Sequence, residues 1–360
     1  MTSSTTDSTR TALTNVRVFD GRQLTSPTTV VIDGSIIGSD ASGAQRVDTG
    51  GAILLPGLID SHLHLHDSDT PDLLAAHGVT TAFDMASSPV LAASLRNLSG
   101  TTDIHSAGLP VIGPGGLHAQ VLGEIAIIRG PEQAEAAVAQ RITSGSDYLK
   151  LVLEAPGEGG PDEATAKAVV AEAHAHNLVV IAHAASPGAY ATALDAGVDF
   201  ITHVPLGIPL PQHDIDRVAS EARIAIPTLT MMEGIAEATG NSPAFDAALA
   251  SARALHAAGV PLLAGTDANS TPGIPFQPRF GASLHHELEL LVQAGLSPVE
   301  ALNAATTLPA RHFALTDRGA IAPGLRADLV LLDADPTTDI TATRAITRVW
   351  CAGIEHAVAN

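Results

Sequence analysis

Leu55-Pro56-Gly57-Leu58-Ile59-Asp60-Ser61-His62-Leu63-His64-Leu65-His66 decides how the rest of the chain is read. An apolar run leaves a Pro-Gly turn and ends in alternating histidines. In a strand, residues two apart face one side, so His62, His64 and His66 are expected to project together while Leu63 and Leu65 face the other way. Two imidazoles side by side at a strand end can share one divalent cation. A single histidine in an apolar run is more often a satisfied core residue. Three at period two, followed by Asp67, point to ligands and oblige the rest of the chain to supply the others.

Outward from this stretch the pattern is regular. From residue 56, apolar runs alternate with alanine-rich helical stretches. The runs are Leu58–Leu65, Val79–Met85, Ile104–Ile112, Tyr148–Leu153, Leu178–Ala182, Phe200–His203, Ile224–Leu229 and Val260–Gly265. They are continuously apolar, as parallel strands buried on both faces are. Helical segments such as Pro131–Thr143, Asp162–His176 and Ser242–Ala258 lie between them, and Leu284–Ala294 and Pro298–Leu308 follow. The pattern predicts an α/β fold, a (β/α)8 TIM barrel over residues 56–315. Both chain ends read as short strands: Ala12–Phe19, Thr28–Ile32 and Gly51–Leu55 early, and 327–333 with 345–357 late. Neither end has enough strands alone, so residues 1–55 and 316–360 are expected to pair into one small, discontinuous β-sandwich domain.

In such a barrel, chemistry sits at the C-terminal ends of the strands. Four predicted strands each supply one metal-capable or metal-bridging group after apolar residues: Lys150, His183, His203 and Asp267. Lys150 stands out because the chain has two lysines, Lys150 and Lys167, among its 18 basic residues. A lysine inside an apolar strand is costly when charged, so burial favours the neutral amine. A neutral amine can take up carbon dioxide as a carbamate, which bridges two cations as a carboxylate does. The alternative is a lysine that snorkels or pairs with an acid such as Glu154.

Composition narrows the partners. The 360 residues are 45% hydrophobic, enough for a large core, and carry a net charge of −20, which argues against nucleic acid and anionic membranes. The single cysteine, Cys351, excludes an internal disulfide and any cysteine-based zinc site. The polar start, Met1–Asp7, has no secretory pattern, and no apolar run is long enough to span a bilayer, so a cytoplasmic protein with a small-molecule substrate is expected. A homo-oligomer is compatible with this reading.

The combination resembles the amidohydrolase superfamily. The resemblance rests on Gly57 to His64, Ala182-His183-Ala184, Thr202-His203, Gly265-Thr266-Asp267, Glu300 to Thr306 and Gly319 to Asp328. The strand-4 lysine, Leu284-His285-His286-Glu287-Leu288 and Gly115-Gly116-Leu117-His118 make it most similar to the imidazolonepropionase-like and prolidase-like branch. The resemblance implies two divalent cations, zinc by preference, bridged by N6-carboxylated Lys150. His62, His64 and Asp267 would hold one cation, His183 and His203 the other. A hydroxide shared by the cations would attack an amide of an N-acyl amino acid, dipeptide or cyclic amide, with Asp267 as base and then acid. Ala184-Ala185 and Thr202-His203-Val204 depart from the peptidase pattern.

Several residues are assigned lesser roles. His118, after a Gly-rich turn, is expected to donate to substrate, His66 to orient a ligand, and Tyr190 and Arg279 to meet a substrate carboxylate. Met231-Met232 are read as pocket wall or core, and His174, His176, His285 and His286 as structural or exposed. The alternatives are a mononuclear deaminase or a lactonase on the same fold, or a metal-free binding protein that kept it. No glutamate follows His183 or His203 to serve a deaminase as proton shuttle.

Overall fold

In the computed structural model, which describes residues 10–359, the apolar runs after Pro56 become the staves of a closed barrel. The polar start at Met1–Asp7 lies outside the described residues. The first five strands precede the barrel: β1 (Thr11–Val18), β2 (Thr28–Asp33), β3 (Ile36–Gly38), β4 (Gln45–Asp48) and β5 (Ile53–Pro56). The barrel strands are β6 (Leu58–Leu63), β7 (Val79–Asp84), β8 (Asp103–Ser106), β9 (Leu149–Val152), β10 (Val180–His183), β11 (Phe200–Thr202) and β12 (Ile224–Ile226). β13 (Leu329–Leu332), β14 (Ile346–Cys351) and β15 (Ile354–His356) end the chain.

Strands β6–β8 pair in parallel in chain order, as do β9–β12. Val111 links the two groups: its N–H donates to Lys150 O and its carbonyl accepts from Val152 N–H. Residues 262–268 complete the ring. Leu263 N–H donates to Ala225 O, Ser61 N–H to Ala264 O, and His64 N–H to Ala268 O. The eighth stave is irregular because Asp267 sits at φ 57°, outside the extended region, and both Thr266 and Asp267 direct their N–H groups at His62 O. The fold is a (β/α)8 barrel, as the alternating pattern predicts.

Helices cover the barrel where alanine-rich segments fall. Asp162 caps the helix Glu163–Ala175 by accepting from Thr165 N–H, and Ser297 and Glu300 form a capping box on Pro298–Ala304. The stretch expected as one helix to Leu308 breaks at Thr306, and a second helix runs Thr307–His312. Inside the barrel, Ile59, Phe83, Ile181, Phe200 and Leu263 pack together, with Phe313 stacked on Phe83 at 3.6 Å. Among the described residues no helix is long and apolar enough to cross a membrane.

The two chain ends share one eight-stranded sheet, ordered β15-β14-β13-β5-β1-β2-β3 with β4 beside β1. β13 lies antiparallel to β5, so the late strands close on the segment that feeds β6. Leu13, Val30, Ile32, Leu54, Leu329 and Trp350 form its core. Arg318 ties this tail to the barrel, donating to Asp103 Oδ2 at 2.7 Å and Thr81 Oγ1 at 2.9 Å.

Packing under the site is tight at Gly265. A Cβ there would lie 2.6 Å from Ile226 Cγ2 and 2.9 Å from His62 Cβ. Gly265→Ala is therefore expected to cost about 1–3 kcal/mol through overpacking. Denaturant unfolding checks this, and unchanged stability would mean that the eighth stave yields freely.

Candidate metal centre

The barrel fold brings six predicted ligands into one cavity of about 470 Å3: His62, His64, Lys150, His183, His203 and Asp267. They arrive from five staves, each fixed in place by the apolar residues of its own run. His62 lies on β6 and His64 just beyond it; Lys150 is on β9, His183 ends β10, His203 follows β11, and Asp267 sits on the eighth stave. His118 also lines the cavity.

Asp267 is the hub. Its Oδ1 lies 3.0 Å from His64 Nε2 and 3.4 Å from His62 Nε2, and its Oδ2 lies 3.9 Å from His203 Nδ1. His183 and His203 rings are 4.4 Å apart, and His62 and His203 rings 5.0 Å apart. Two donor groups have ligand atoms within 4.8 Å of one another: His62, His203 and Asp267, and His118, Glu154 and His183.

The electrostatics suit cation binding. Burial, reinforced by Lys150, brings the His62 imidazole down to about 3. Burial and neighbouring positive groups hold His183 well below the ordinary histidine value. Burial does the same to His203, outweighing the pull of Asp267. These three rings are neutral at pH 7, the form that offers a lone pair to a metal. Burial also opposes charge on His64, but its bond to Asp267 raises it. Asp267 is buried, which pushes its carboxyl up, yet His62 and His64 hold it well below the usual range. Burial brings the Lys150 ammonium down to about 7. A buried set of neutral imidazoles around one carboxylate, with His62 Nδ1 lacking a partner among the described residues, fits a divalent cation.

Backbone strain gathers here. His203 has φ 76°, Asp267 φ 57° and Thr228 φ 49°, in the left-handed region that β-branched and bulky residues avoid. His203 is held from three directions. Its N–H donates to Ile226 O, its carbonyl accepts from Tyr190 Oη at 2.6 Å, and its Nδ1 lies 2.8 Å from Thr228 Oγ1. The two residues that follow Thr228 are held in turn by Glu287, buried on the helix Ala282–Gln293. Glu287 accepts from Leu229 N–H, Thr230 N–H and Thr230 Oγ1 at 3.0, 2.7 and 2.9 Å. On the other side, Asp60 accepts from Thr266 Oγ1 at 2.7 Å and Thr266 N–H at 3.1 Å, fixing the approach to Asp267.

Other expected residues fall elsewhere. His66 is half-exposed beside Asp67 and does not line the cavity. The strand ends at Leu63, and Leu65 N–H turns to Asp84 Oδ1, so the period-two register is lost before residue 66. Tyr190 is wholly buried and serves His203, while Arg279 is exposed and off the cavity. Met231 and Met232 line the wall. His285 bonds Thr343 and His77 O, His286 meets Glu233, His174 meets Asp199 and His176 meets Glu172. Glu154 does not pair with Lys150. The lysine Nζ donates to Thr202 Oγ1 at 2.9 Å, and Glu154 lies 3.5 Å from His118 Nδ1.

Thr228, Glu287 and Asp60 were not legible as site residues. An acid on a helix reads as solvated until the loop it braces is known. The one usable signal was Asp60, an acid directly after the apolar start of its strand.

A family profile described as "Amidohydrolase family" matches residues 53–355. An uncharacterized protein of Mycobacterium tuberculosis (strain ATCC 25618 / H37Rv) is 30% identical over 305 residues, 76% of this chain and 78% of that protein. An imidazolonepropionase of Deinococcus deserti is 32% identical over 193 residues, 51% of this chain and 43% of that protein. Among solved structures, a Bifidobacterium longum protein described as a candidate prolidase superposes with TM-score 0.83 at 27% identity, covering 98% of this chain and 96% of that one.

Proposed function

The chain belongs to the amidohydrolase family, and from that premise we propose a binuclear, metal-dependent hydrolase that cleaves an amide bond of a small molecule. Residues 56–315 would carry the chemistry, with 1–55 and 316–360 as a supporting β domain. The observation that carries the reading is the convergence of six donor residues from five staves on one cavity in the barrel.

His62, His64 and Asp267 would hold one divalent cation, His183 and His203 a second, and a carboxylated Lys150 would lie between them. Zinc suits this donor set. When bound, such a pair supplies Lewis acidity toward a carbonyl and makes water acidic enough to be a nucleophile near pH 7. The chain's own residues do the rest. Asp267, ionised because His62 and His64 stabilise its charge, takes a proton from water on a carboxylate oxygen and passes it to the leaving nitrogen. His118 lines the cavity and would donate to a substrate carbonyl. Lys150 enters as its free amine. Its nitrogen bonds the carbon of carbon dioxide and releases one proton to solvent, leaving an N-carboxylate.

Thr228 and Glu287 keep His203 in its strained conformation. Glu287→Ala removes the acceptor of two backbone N–H groups and a hydroxyl. It is expected to weaken cation binding on the His203 side by about 10–100-fold, the usual effect of losing a residue that orients a ligand. Titration of the metal-free protein with zinc against a chelating dye checks this, and unchanged affinity would reduce Glu287 to a fold element.

The test of the function is metal per chain by plasma mass spectrometry, combined with mass-spectrometric detection of amine and acid products from a panel of amides. Near two equivalents with product supports the reading. One equivalent with ammonia release from an amino-heterocycle would transfer the site to a deaminase.

A further inference from the structure

The cavity's chemistry above the metal-binding residues has a sign and a polarity. Its wall is aliphatic: Val121, Leu122, Met231, Met232, Ile235 and Ile274 line it. Among the described lining residues Lys150 is the sole lysine or arginine, and it is buried with its Nζ on Thr202 Oγ1. The charged lining group outside the proposed ligand set is an acid, Glu154. It sits 3.5 Å from His118 and has no closer partner among the described residues.

Beyond the residues that would hold the cations, a substrate carboxylate would therefore leave water for an apolar wall that offers it no arginine and sets it beside a like charge. The two residues expected from the sequence to meet such a carboxylate are out of reach, Tyr190 buried under His203 and Arg279 outside the cavity. The net charge of −20 repels anions at longer range as well.

We propose that the cavity takes aliphatic amides that bear no carboxylate, with Glu154 accepting an N–H or ammonium donor of the substrate. This rests on the hydrolase reading and narrows it away from dipeptides and N-acyl amino acids. The cleaved C–N bond is replaced by a C–O bond to water, and the leaving nitrogen takes one of water's protons. The products are an acid, repelled by the same surroundings that rejected anionic substrates, and an amine.

Matched ligands test this: N-acetyl-leucine, its neutral counterpart N-acetyl-leucinamide, and cationic leucinamide. Binding to the zinc-loaded protein is read by calorimetry, so selection is seen whether or not turnover follows. The neutral and cationic amides are expected to bind at least about tenfold more tightly than the acid, a difference of about 1.4 kcal/mol. Glu154→Gln should remove the advantage of leucinamide over N-acetyl-leucinamide by about tenfold and leave the neutral ligand within about twofold. Equal or tighter binding of the acid overturns the proposal, as does binding by none of the three. A Glu154→Gln variant with unchanged ratios overturns the role of Glu154. Failure of the hydrolase reading would show separately, as a zinc-loaded protein that binds amides and forms no product.

Discussion

Lys150→Ala is expected to lower bound divalent cation from about two per chain to one or fewer, and to cut kcat/KM by about 10^3-fold or more, some 4 kcal/mol of transition-state stabilisation. The size follows from position. Lys150 lies in the middle of β9, paired with Ile181 on β10 and with Val111 on the other side. Its side chain enters the cavity lined by His62, His64, His183, His203 and Asp267. A bridging carbamate there would neutralise part of the charge of both cations, and no other lining residue is placed to replace it. The fold should survive. The substitution removes a buried amine whose charged form is already disfavoured, so the melting temperature is expected within about 3 °C of wild type. Metal analysis, kinetics and thermal melts on the same preparation separate the cases. Millimolar acetate or propionate, small enough to enter the space left by the side chain, should restore part of both cation content and rate. Full activity in Lys150→Ala would make the lysine a packing residue bonded to Thr202, and the centre mononuclear.

Much of this arrangement could be read from the chain because barrel geometry converts a local pattern into a global position. Each proposed ligand lies within or at the end of an apolar run, and the runs become parallel staves whose ends meet. His62 and His64 declare themselves by period two, and Lys150 by its cost in an apolar strand. What failed to show is whatever depends on contact between distant segments. Nothing near Glu287 in sequence announces that it braces Leu229 and Thr230, beside the Thr228 that meets His203. His66 continued the period but not the strand, since the Leu65 N–H goes to the side chain of Asp84 and not to strand backbone. Specificity was the least legible feature. That no arginine lines the cavity among the described residues is a property of the assembled wall, and no motif records it.

Asp267→Asn is the second large effect, and it separates two roles that share one side chain. The carboxylate reaches His64 at 3.0 Å and His62 at 3.4 Å through Oδ1, while Oδ2 faces His203. Asparagine keeps the shape and one oxygen, and tolerates the φ of 57° better than most residues. Asp60 still holds Thr266, and Ala268 N–H still donates to Thr266 Oγ1, so the segment keeps its path. What disappears is the charge and the capacity to carry a proton. If Asp267 is the base that deprotonates water and the acid that protonates the leaving nitrogen, turnover should fall by about 10^2–10^4-fold. Cation content should fall much less, because His62 and His64 remain. Proportional loss of both would mean that Asp267 only binds metal. Asp267→Ala supplies the contrast: it removes both oxygens, so it should lose cation as well as rate. A proton-transfer role predicts that the two variants differ strongly in metal content and little in turnover, whereas a ligand-only role predicts that rate follows metal through both.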